Sequence, residues 1–290
     1  MKKAIQNAEG LSDKSKELYL QRIRLWTEGT EKPITTILKN PTTYIAWLKE
    51  NKPEPQTQKA YLVGILALFK HTPKLKDRFK EAHEIWYDTF TTLEKEIEAR
   101  YKSNEPTPKQ QDAYIPFKDI EKKRDQLKIA TKERLLLSMY TYIPPLRNDF
   151  HAVFLYPTIP EEPPSHPNYL ILNTKQLTIK EHKTAKTVGP YENTLPTPLM
   201  EEIQASLEAS PRDWLFATKD NKPYSSGTFN KWVNRTLEKL FHKPLTISLI
   251  RHVYVNDINF NKLSVAEKER IAKLMCHKVG MQDKYRLFFD

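Results

Sequence analysis

Glycine is scarce and scattered in this chain, with six residues of this type among 290. The closest pair, Gly10 and Gly29, is separated by nineteen positions. Loops that bind nucleotide phosphates through the main chain need several glycines within a few residues. The sequence therefore excludes a Walker-type phosphate loop and a dinucleotide-binding turn.

Cysteine and histidine narrow the possible chemistry further. The single cysteine, Cys276, excludes an internal disulfide and any site built from several cysteines, and it is typical of a reducing compartment. The eight histidines form no HExxH motif, which excludes a zincin-type protease. We expect no cofactor and no metal, and a location inside a cell, in the cytoplasm or nucleus.

The chain is basic, with 47 Lys and Arg against 36 Asp and Glu and a net charge of +11. Counted up to Gln110, 20 basic and 15 acidic residues give +5, and the other 27 basic and 21 acidic residues give +6. An excess of positive charge in both parts favours an acidic partner such as nucleic acid. The longest apolar stretch, Tyr61 to Phe69, is too short to cross a membrane, so no membrane partner is expected.

The first part of the chain, residues 1–105, is predicted to be a helical domain. Ser12 is placed to cap a helix that ends near Gly29, and further helices are predicted over 41–49 and 56–71. In the last helix, large apolar residues are separated by 7, 4, 3 and 4 positions, which predicts a stripe that packs into a core: Phe79, Trp86, Phe90, Leu93 and Ile97. A polar segment with prolines, residues 106–116, is predicted as a linker between domains.

Residues 117–290 are predicted to form a second domain that is mainly helical, with a small antiparallel β-sheet. Helices are expected over 117–126 and 132–142, followed by strands over 169–171 and 177–180 with a hairpin turn at Asn173 and Thr174. Near the end of the chain, Ser264 and Glu267 form a capping box for one more helix. The fold class is therefore mainly α with a small sheet (α+β).

Four short segments of the second domain carry the residues suited to chemistry. They are PPLRND (residues 144–149), IKEHKTAKT (179–187), SLIRH (248–252) and MCHKVGMQDKYR (275–286). Each of them alone has an ordinary structural explanation, such as a surface arginine or solvated lysines on a hairpin. Together they place Arg, Lys, Arg, His and Tyr in this order along the chain.

This order resembles the tyrosine recombinase, or phage-type integrase, family. The layout is also similar: a helical domain that binds DNA (the core-binding domain), a linker, and a catalytic domain with a small sheet. The sequences of PPLRND and of the hairpin are more similar to those of recombinases from large eukaryotic DNA viruses and virophages than to those of bacterial resolution enzymes. The resemblance covers nearly the whole chain, but its residue-level match is confined to the second domain.

The resemblance implies a site-specific DNA recombinase of a mobile element that acts in DNA integration or excision without metal or ATP. Tyr285 would attack a DNA phosphodiester and form a 3′-phosphotyrosine intermediate. Arg147 and Arg251 would hold the nonbridging oxygens, and His277 would bind the scissile phosphate. Lys183 would give a proton to the leaving 5′-oxygen, with Lys186 as the alternative donor.

The sequence departs from the family pattern at three places. Ser248 occupies the position of the first histidine, and a serine hydroxyl cannot shuttle a proton at neutral pH. Phe150 stands where an acidic residue is common, but Asp149 lies beside it and can brace Arg147. The spacing from His277 to Tyr285 is eight residues instead of nine, and the five residues that follow cannot form a long C-terminal helix.

Partners and alternatives follow from the same resemblance. It implies double-stranded DNA with inverted-repeat sites, bound by a homotetramer made of two dimers. Ser248 leaves open a recombinase-derived DNA-binding protein with impaired catalysis, and a type IB topoisomerase or telomere resolvase would share the chemistry. For the first domain, the expected DNA-binding residues flank its third helix or follow it: Gln56, Gln58, Lys59, Lys70, Lys74, Lys76, Arg78 and Lys80.

Overall fold

A computed structural model of the chain describes residues 2–259, 262–281 and 285–289. The chain divides into two compact units, unit 1 (residues 1–103) and unit 2 (residues 104–290). The first predicted domain, residues 1–105, ends two positions beyond unit 1.

All the regular secondary structure among the described residues of unit 1 is helical. They are α1 Lys2–Gln6, α2 Asp13–Thr30, α3 Ile34–Lys39, α4 Pro41–Asn51, α5 Pro55–His71, α6 Pro73–Arg78 and α7 Lys80–Ser103. Helices α2, α4, α5 and α7 confirm the four that were predicted, and the Ser12 side chain accepts the cap hydrogen bond from the Ser15 N–H. The short helices α1, α3 and α6 were not predicted, because five or six residues are too few for a recognisable periodicity.

Two tryptophans organise the core of unit 1. Trp26 of α2 and Trp86 of α7 are fully buried and meet edge to face, with ring centroids 5.6 Å apart. Each indole N–H donates to a main-chain carbonyl of another helix, Trp26 to Tyr61 at 3.0 Å and Trp86 to Leu38 at 3.2 Å. Gly64 lets α5 approach α2 closely, since a Cβ at this position would lie 2.7 Å from the Arg22 Cβ. The predicted aromatic stripe is confirmed as core.

Unit 2 combines helices with one sheet. Its helices are α8 Pro108–Asp112, α9 Phe117–Gln126, α10 Lys132–Thr141, α11 Ala185–Val188, α12 Thr197–Ala209, α13 Ser226–Phe241, α14 Ile247–Asp257 and α15 Val265–Leu274. The 3-10 turns Asn148–Ala152 and Val279–Met281 add to them. The predicted capping box is present, since Ser264 and Glu267 each bond the other's main-chain N–H.

The segment predicted as a linker, residues 106–116, belongs to unit 2. Thr107 caps α8 with its side chain, and Gln110 completes a capping box. Ala113 and Ile115 then enter the core of unit 2, at 3% and 8% exposure. A proline-bearing polar sequence indicated a linker, but its alternating apolar residues pack against the same core as α9 and α10.

The sheet has the strand order β1 Phe154–Tyr156, β2 Asn168–Ile171, β3 Gln176–Ile179 and β4 Tyr191–Thr194. The pairs β2–β3 and β3–β4 are antiparallel, but β1 runs parallel to β2, with Phe154 opposite Tyr169. The sheet is therefore mixed, and the prediction that it is antiparallel was wrong. β1 has only three residues, and the proline-rich segment that follows carries the chain back to begin β2 beside the start of β1. The predicted α+β class is confirmed.

Candidate active site

The hydroxyl of Tyr285 lies between two guanidinium groups. Arg251 Nε donates to it at 3.2 Å and Arg147 Nη2 at 3.4 Å. The Arg251 guanidinium carbon also lies 4.9 Å from the centroid of the Tyr285 ring, which is 9% exposed. Burial raises the pKa of this hydroxyl, but the positive charges of Arg251 and Arg147 and their hydrogen bonds outweigh it, so the pKa lies below its ordinary value of 10.0. The arrangement favours the phenolate, the nucleophilic form of tyrosine.

Arg251 is placed by helix α14 and is 1% exposed. The helix begins after Thr246, whose side chain accepts from the Leu249 N–H, and its buried face carries the arginine inward. The guanidinium donates to two main-chain carbonyls, those of Pro145 and Met275, the latter at 3.0 Å. A buried cation is stable only where its donors are satisfied, and here the forked geometry of arginine serves three acceptors.

Arg147 lies in the turn between α10 and the first 3-10 turn. Its main-chain N–H donates to Asp149 Oδ2 at 3.1 Å, and its carbonyl accepts from the buried Tyr140 hydroxyl at 2.7 Å. Asp149 therefore braces Arg147 through the main chain. The Arg147 side chain is left to donate to the Cys276 carbonyl at 3.3 Å and to Tyr285.

The chain just after α15 places the carbonyls of Met275 and Cys276, and His277, at the site. The Cys276 N–H donates to the Lys273 carbonyl and the His277 N–H to the Ala272 carbonyl, while Cys276 adopts a left-handed φ of 52°. This is the Schellman pattern of a helix C-terminus, in which the left-handed residue is usually glycine. It turns the chain so that the carbonyls of Met275 and Cys276 meet the two arginines.

His277 is stacked on the Tyr285 ring, with centroids 5.2 Å apart and an interplanar angle of 26°. Its Nδ1 lies 3.0 Å from the Lys278 carbonyl and must be the donor there. Burial, together with the neighbouring arginines, lowers the pKa of His277 to about 4. Its Nε2 is buried without a hydrogen-bond partner among the described residues. The neutral ring thus presents an acceptor nitrogen, which gains a donor proton only if an anion offsets the cost of charging it.

Tyr285 is also held through its main chain by α14. His252 Nδ1 donates to the Tyr285 carbonyl at 2.8 Å, and burial lowers the pKa of His252 to about 4. One turn later, Asn256 Nδ2 donates to the Leu287 carbonyl at 2.6 Å, and its Oδ1 accepts from the Leu287 N–H at 3.2 Å. Phe289 stacks on Tyr114, with centroids 4.0 Å apart. His252 and Asn256 therefore both fasten the tyrosine segment to α14, and Asn256 had no signal in the sequence.

The lysine loop, residues 180–190, connects β3 to β4. Thr184 Oγ1 donates at 2.7 Å to the Cys276 carbonyl, the same oxygen that accepts from Arg147. Lys183 and Lys186 are exposed on this loop, and no contact among the described residues joins either lysine to Tyr285. The structure thus brings the loop to a carbonyl oxygen that also binds Arg147, but it places neither lysine ammonium group against the tyrosine.

Ser248 is exposed in the first turn of α14, one turn before Arg251. No contact joins its hydroxyl to Tyr285, Arg147 or Arg251 in the part of the chain that the structure describes. Of the six residues predicted for catalysis, four are therefore assembled around the tyrosine hydroxyl and ring: Arg147, Arg251, His277 and Tyr285 itself.

The residues predicted to bind DNA in unit 1 fall into two groups. Lys59 forms an ion pair with Glu94 at 2.7 Å, Gln56 donates to the Tyr101 hydroxyl, and Gln58 donates to the Lys52 carbonyl. The other group is exposed on or beside α6, and we call it the α6 patch: Lys70, Lys74, Lys76, Arg78 and Lys80.

Among residues 2–259, 262–281 and 285–289, no three His, Cys, Asp or Glu side chains come together as a metal site would require. Within the same residues, no helix has both the length and the apolar character needed to cross a membrane.

Comparison with known proteins gives matches by structure alone. No protein-family model matches the sequence, and no curated protein matches it. A structure of a lambda integrase (residues 75–356) dimer bound to a COC′ core site superimposes with a TM-score of 0.61 at 14% identity, over 98% of this chain and 92% of that one. The Tn1549 transposon integrase in complex with circular intermediate DNA also gives 0.61, at 12% identity, over 99% and 94% of the two chains. The chain therefore has the fold of the tyrosine recombinases and integrases.

Proposed function

We propose that this protein is a site-specific DNA recombinase in which Tyr285 is the nucleophile. Its phenolic oxygen forms a bond to a DNA phosphorus while the bond from phosphorus to the 5′-oxygen breaks. The products are a 3′-phosphotyrosine and a free 5′-hydroxyl. The reverse attack by a 5′-hydroxyl releases the tyrosine and joins the DNA, so the bond energy is conserved and no ATP is needed.

The observation that carries this proposal is the placement of the Tyr285 hydroxyl between Arg251 and Arg147. Charge builds on the nonbridging phosphate oxygens as the tyrosine attacks, and two fixed guanidinium groups are suited to stabilise it. A phosphate that enters beside the hydroxyl would also meet His277 Nε2, which has no partner among the described residues. The same environment lowers the pKa of Tyr285, which prepares it to lose its proton.

Tyr285 attacks as the phenolate after its hydroxyl proton has passed to water, and the leaving 5′-oxygen then requires a proton donor of its own. Lys183 is the proposed general acid: one of its ammonium protons passes to the oxygen as the bond to phosphorus breaks. The exposed loop that carries Lys183 is attached to the Cys276 carbonyl beside the arginines, which supports this role. Lys186, on α11 of the same loop, is the alternative donor.

The partners follow from the same proposal. Both DNA-bound integrases compared above have this fold, which supports double-stranded DNA as the partner of this chain. We propose sites with inverted repeats, bound by a homotetramer of two dimers inside a host cell. Since Tyr285 contacts arginines of its own chain, attack is proposed on DNA held by the same protomer.

A trapping experiment tests the assignment of the nucleophile and selects the target site at the same time. The probe is a pool of random-sequence duplexes with a nick, so that cleavage releases a short 5′-hydroxyl fragment and leaves the protein attached to DNA. Wild-type protein should give adducts that survive denaturation, and sequencing of the attached DNA should show inverted repeats.

The matched variants are Tyr285→Phe and Tyr254→Phe. Tyr254 is partly buried and packs edge to face on Phe117, and no contact among the described residues joins it to Arg147 or Arg251. Tyr285→Phe should form no adduct, and Tyr254→Phe should form as much as wild type. An adduct that persists in Tyr285→Phe contradicts the nucleophile, and DNA binding without any adduct favours the DNA-binding alternative. Relaxation of supercoiled DNA without any site requirement favours a topoisomerase.

A further inference from the structure

The loop that carries Lys183 is closed by a hydrogen bond across it and is anchored to Cys276 through Thr184. His182 Nε2 lies 2.8 Å from the Gly189 carbonyl, and His182 Nδ1 lies 3.2 Å from Thr184 Oγ1. Thr184 Oγ1 in turn donates to the Cys276 carbonyl at 2.7 Å. Gly189, at φ 81°, closes the turn in a conformation that glycine adopts without strain. Lys183 is held between the two residues that make these bonds.

The hydrogens of this arrangement can be counted. A main-chain carbonyl only accepts, so the one hydroxyl proton of Thr184 is used in the bond to Cys276. His182 Nε2 donates to the Gly189 carbonyl, which only accepts, and Nδ1 faces the Thr184 oxygen.

The Cys276 carbonyl connects this loop to the candidate active site. It accepts from Thr184 and from Arg147, whose other terminal nitrogen donates to the Tyr285 hydroxyl. Thr184 is therefore fixed to the same oxygen as one of the two arginines. A lysine next to such an anchor samples a smaller volume than one on an unattached exposed loop.

We propose that Thr184 and His182 are positioning residues that hold Lys183 where it can protonate the leaving 5′-oxygen. The proposal rests on the proposed function, because it assigns a role within that reaction. Neither residue transfers the proton; the bonds they make set the place of the lysine from which it comes.

The experiment uses a duplex recovered by the trapping experiment, made in two forms. One has the ordinary oxygen at the scissile 5′ position, and the other has sulfur in its place. A thiolate leaves without protonation, since thiols are much more acidic than alcohols, so the sulfur duplex does not need the general acid. The rate of adduct formation is measured on both duplexes at saturating protein, and the affinity for DNA is measured separately.

Thr184→Val removes the hydroxyl and keeps the shape of the side chain. We expect cleavage of the oxygen duplex to slow by about tenfold or more, and cleavage of the sulfur duplex to stay within about twofold of wild type. Thr184→Ser, which keeps the donor, should restore most of the rate. The matched control is Thr187→Val, because among the described residues the Thr187 hydroxyl bonds within the loop alone, to the Thr184 carbonyl.

His182→Gln and Lys183→Gln complete the test. His182→Gln should show the same selective loss on the oxygen duplex, since one amide cannot keep both contacts of the ring, with Gly189 and with Thr184. Lys183→Gln should show it most strongly. Equal losses on both duplexes for Thr184→Val, or no loss at all, would overturn the positioning role, and a Lys183→Gln defect that sulfur does not rescue would overturn it as well. An adduct formed by Tyr285→Phe would instead contradict the proposed function itself.

Discussion

Arg251 Nε lies 3.2 Å from the hydroxyl of Tyr285, and the two terminal nitrogens of the same guanidinium bind the carbonyls of Pro145 and Met275. One buried side chain thus connects the turn before Arg147, the end of α15 and the tyrosine. The group that would stabilise charge on a phosphate is also the group on which these three segments converge.

Arg251→Lys should therefore lower both stability and cleavage. Lysine carries the charge but cannot present donors in a planar fork to three acceptors. We expect the free energy of unfolding to fall by about 1–3 kcal/mol, the cost of a buried acceptor left unpaired. Urea unfolding measures the change, and Arg235→Lys, at an exposed position on α13, is the control. Equal stability of the two variants would contradict this assignment.

Asn256→Leu should release the segment that follows Tyr285. The substitution removes the donor to the Leu287 carbonyl and the acceptor for its N–H. Hydrogen exchange at the Leu287 amide should become faster, and adduct formation should slow because the tyrosine loses its position. Asn51→Leu is the control, since Asn51 also donates to a main-chain carbonyl but lies in unit 1. Unchanged exchange at Leu287 would mean that this pair of bonds does not hold the segment.

Stability should fall as the pH decreases from about 6.5 to about 4. Burial lowers the pKa of both His252 and His277 from 6.5 to about 4, so in this range the unfolded chain takes up protons that the folded chain does not. Each histidine contributes at most about 1.4 kcal/mol per pH unit.

Urea unfolding at about pH 7 and about pH 5 measures this slope. His252→Asn and His277→Asn should each make it shallower. His242→Asn should not, because His242 is exposed and its left-handed φ of 53° suits asparagine. A slope that survives the loss of both buried histidines would have to come from other groups.

Ser248→His should raise the rate of cleavage. Ser248 is exposed in the first turn of α14, so an imidazole fits there, and the free energy of unfolding should change by less than about 0.5 kcal/mol. A titratable group at this position can assist proton transfer, and we expect an increase of roughly tenfold or more. Ser248→Gln is the control of similar size without a titratable group. Equal rates for the two variants would show that a proton shuttle at 248 is not what limits the reaction.

The α6 patch should contribute to DNA affinity through charge. Replacing Lys74 and Lys76 by alanine should weaken binding and reduce the slope of log affinity against log salt by roughly two, if each lysine neutralises one phosphate. The control replaces Lys14 and Lys95, which are exposed elsewhere in unit 1 and remove the same charge. If both double variants change the slope equally, net charge and not the patch determines binding.

The sequence was sufficient for the long helices and for the members of the candidate site that are identified by side-chain type. The stripe from Phe79 to Ile97 repeats at helical spacing over several turns, and Arg147, Arg251, His277 and Tyr285 stand in recognisable short motifs. What remained hidden depends on spatial proximity. The three-residue strand β1 has too little pattern to predict, and its parallel pairing depends on the path of the proline-rich segment.

The bonds that position the site were hidden for a different reason. His252 and Asn256 are spaced by four residues on α14, but only the folded chain shows that they bind the carbonyls of Tyr285 and Leu287. The apolar residues within 106–116 gave a weak signal beside the prolines and polar residues, so the segment was predicted as a linker although Ala113 and Ile115 are buried.

The Cys276 carbonyl has a consequence for how proteins of this fold can diverge. Every amino acid supplies the same carbonyl oxygen, so substitution at position 276 can change the side chain without removing the acceptor for Arg147 and Thr184. The requirement falls on the left-handed turn, and glycine would satisfy it at least as well as cysteine. A site that is assembled from main-chain atoms places little constraint on which side chains are present. Such a site can therefore persist after similarity between the sequences is no longer detectable.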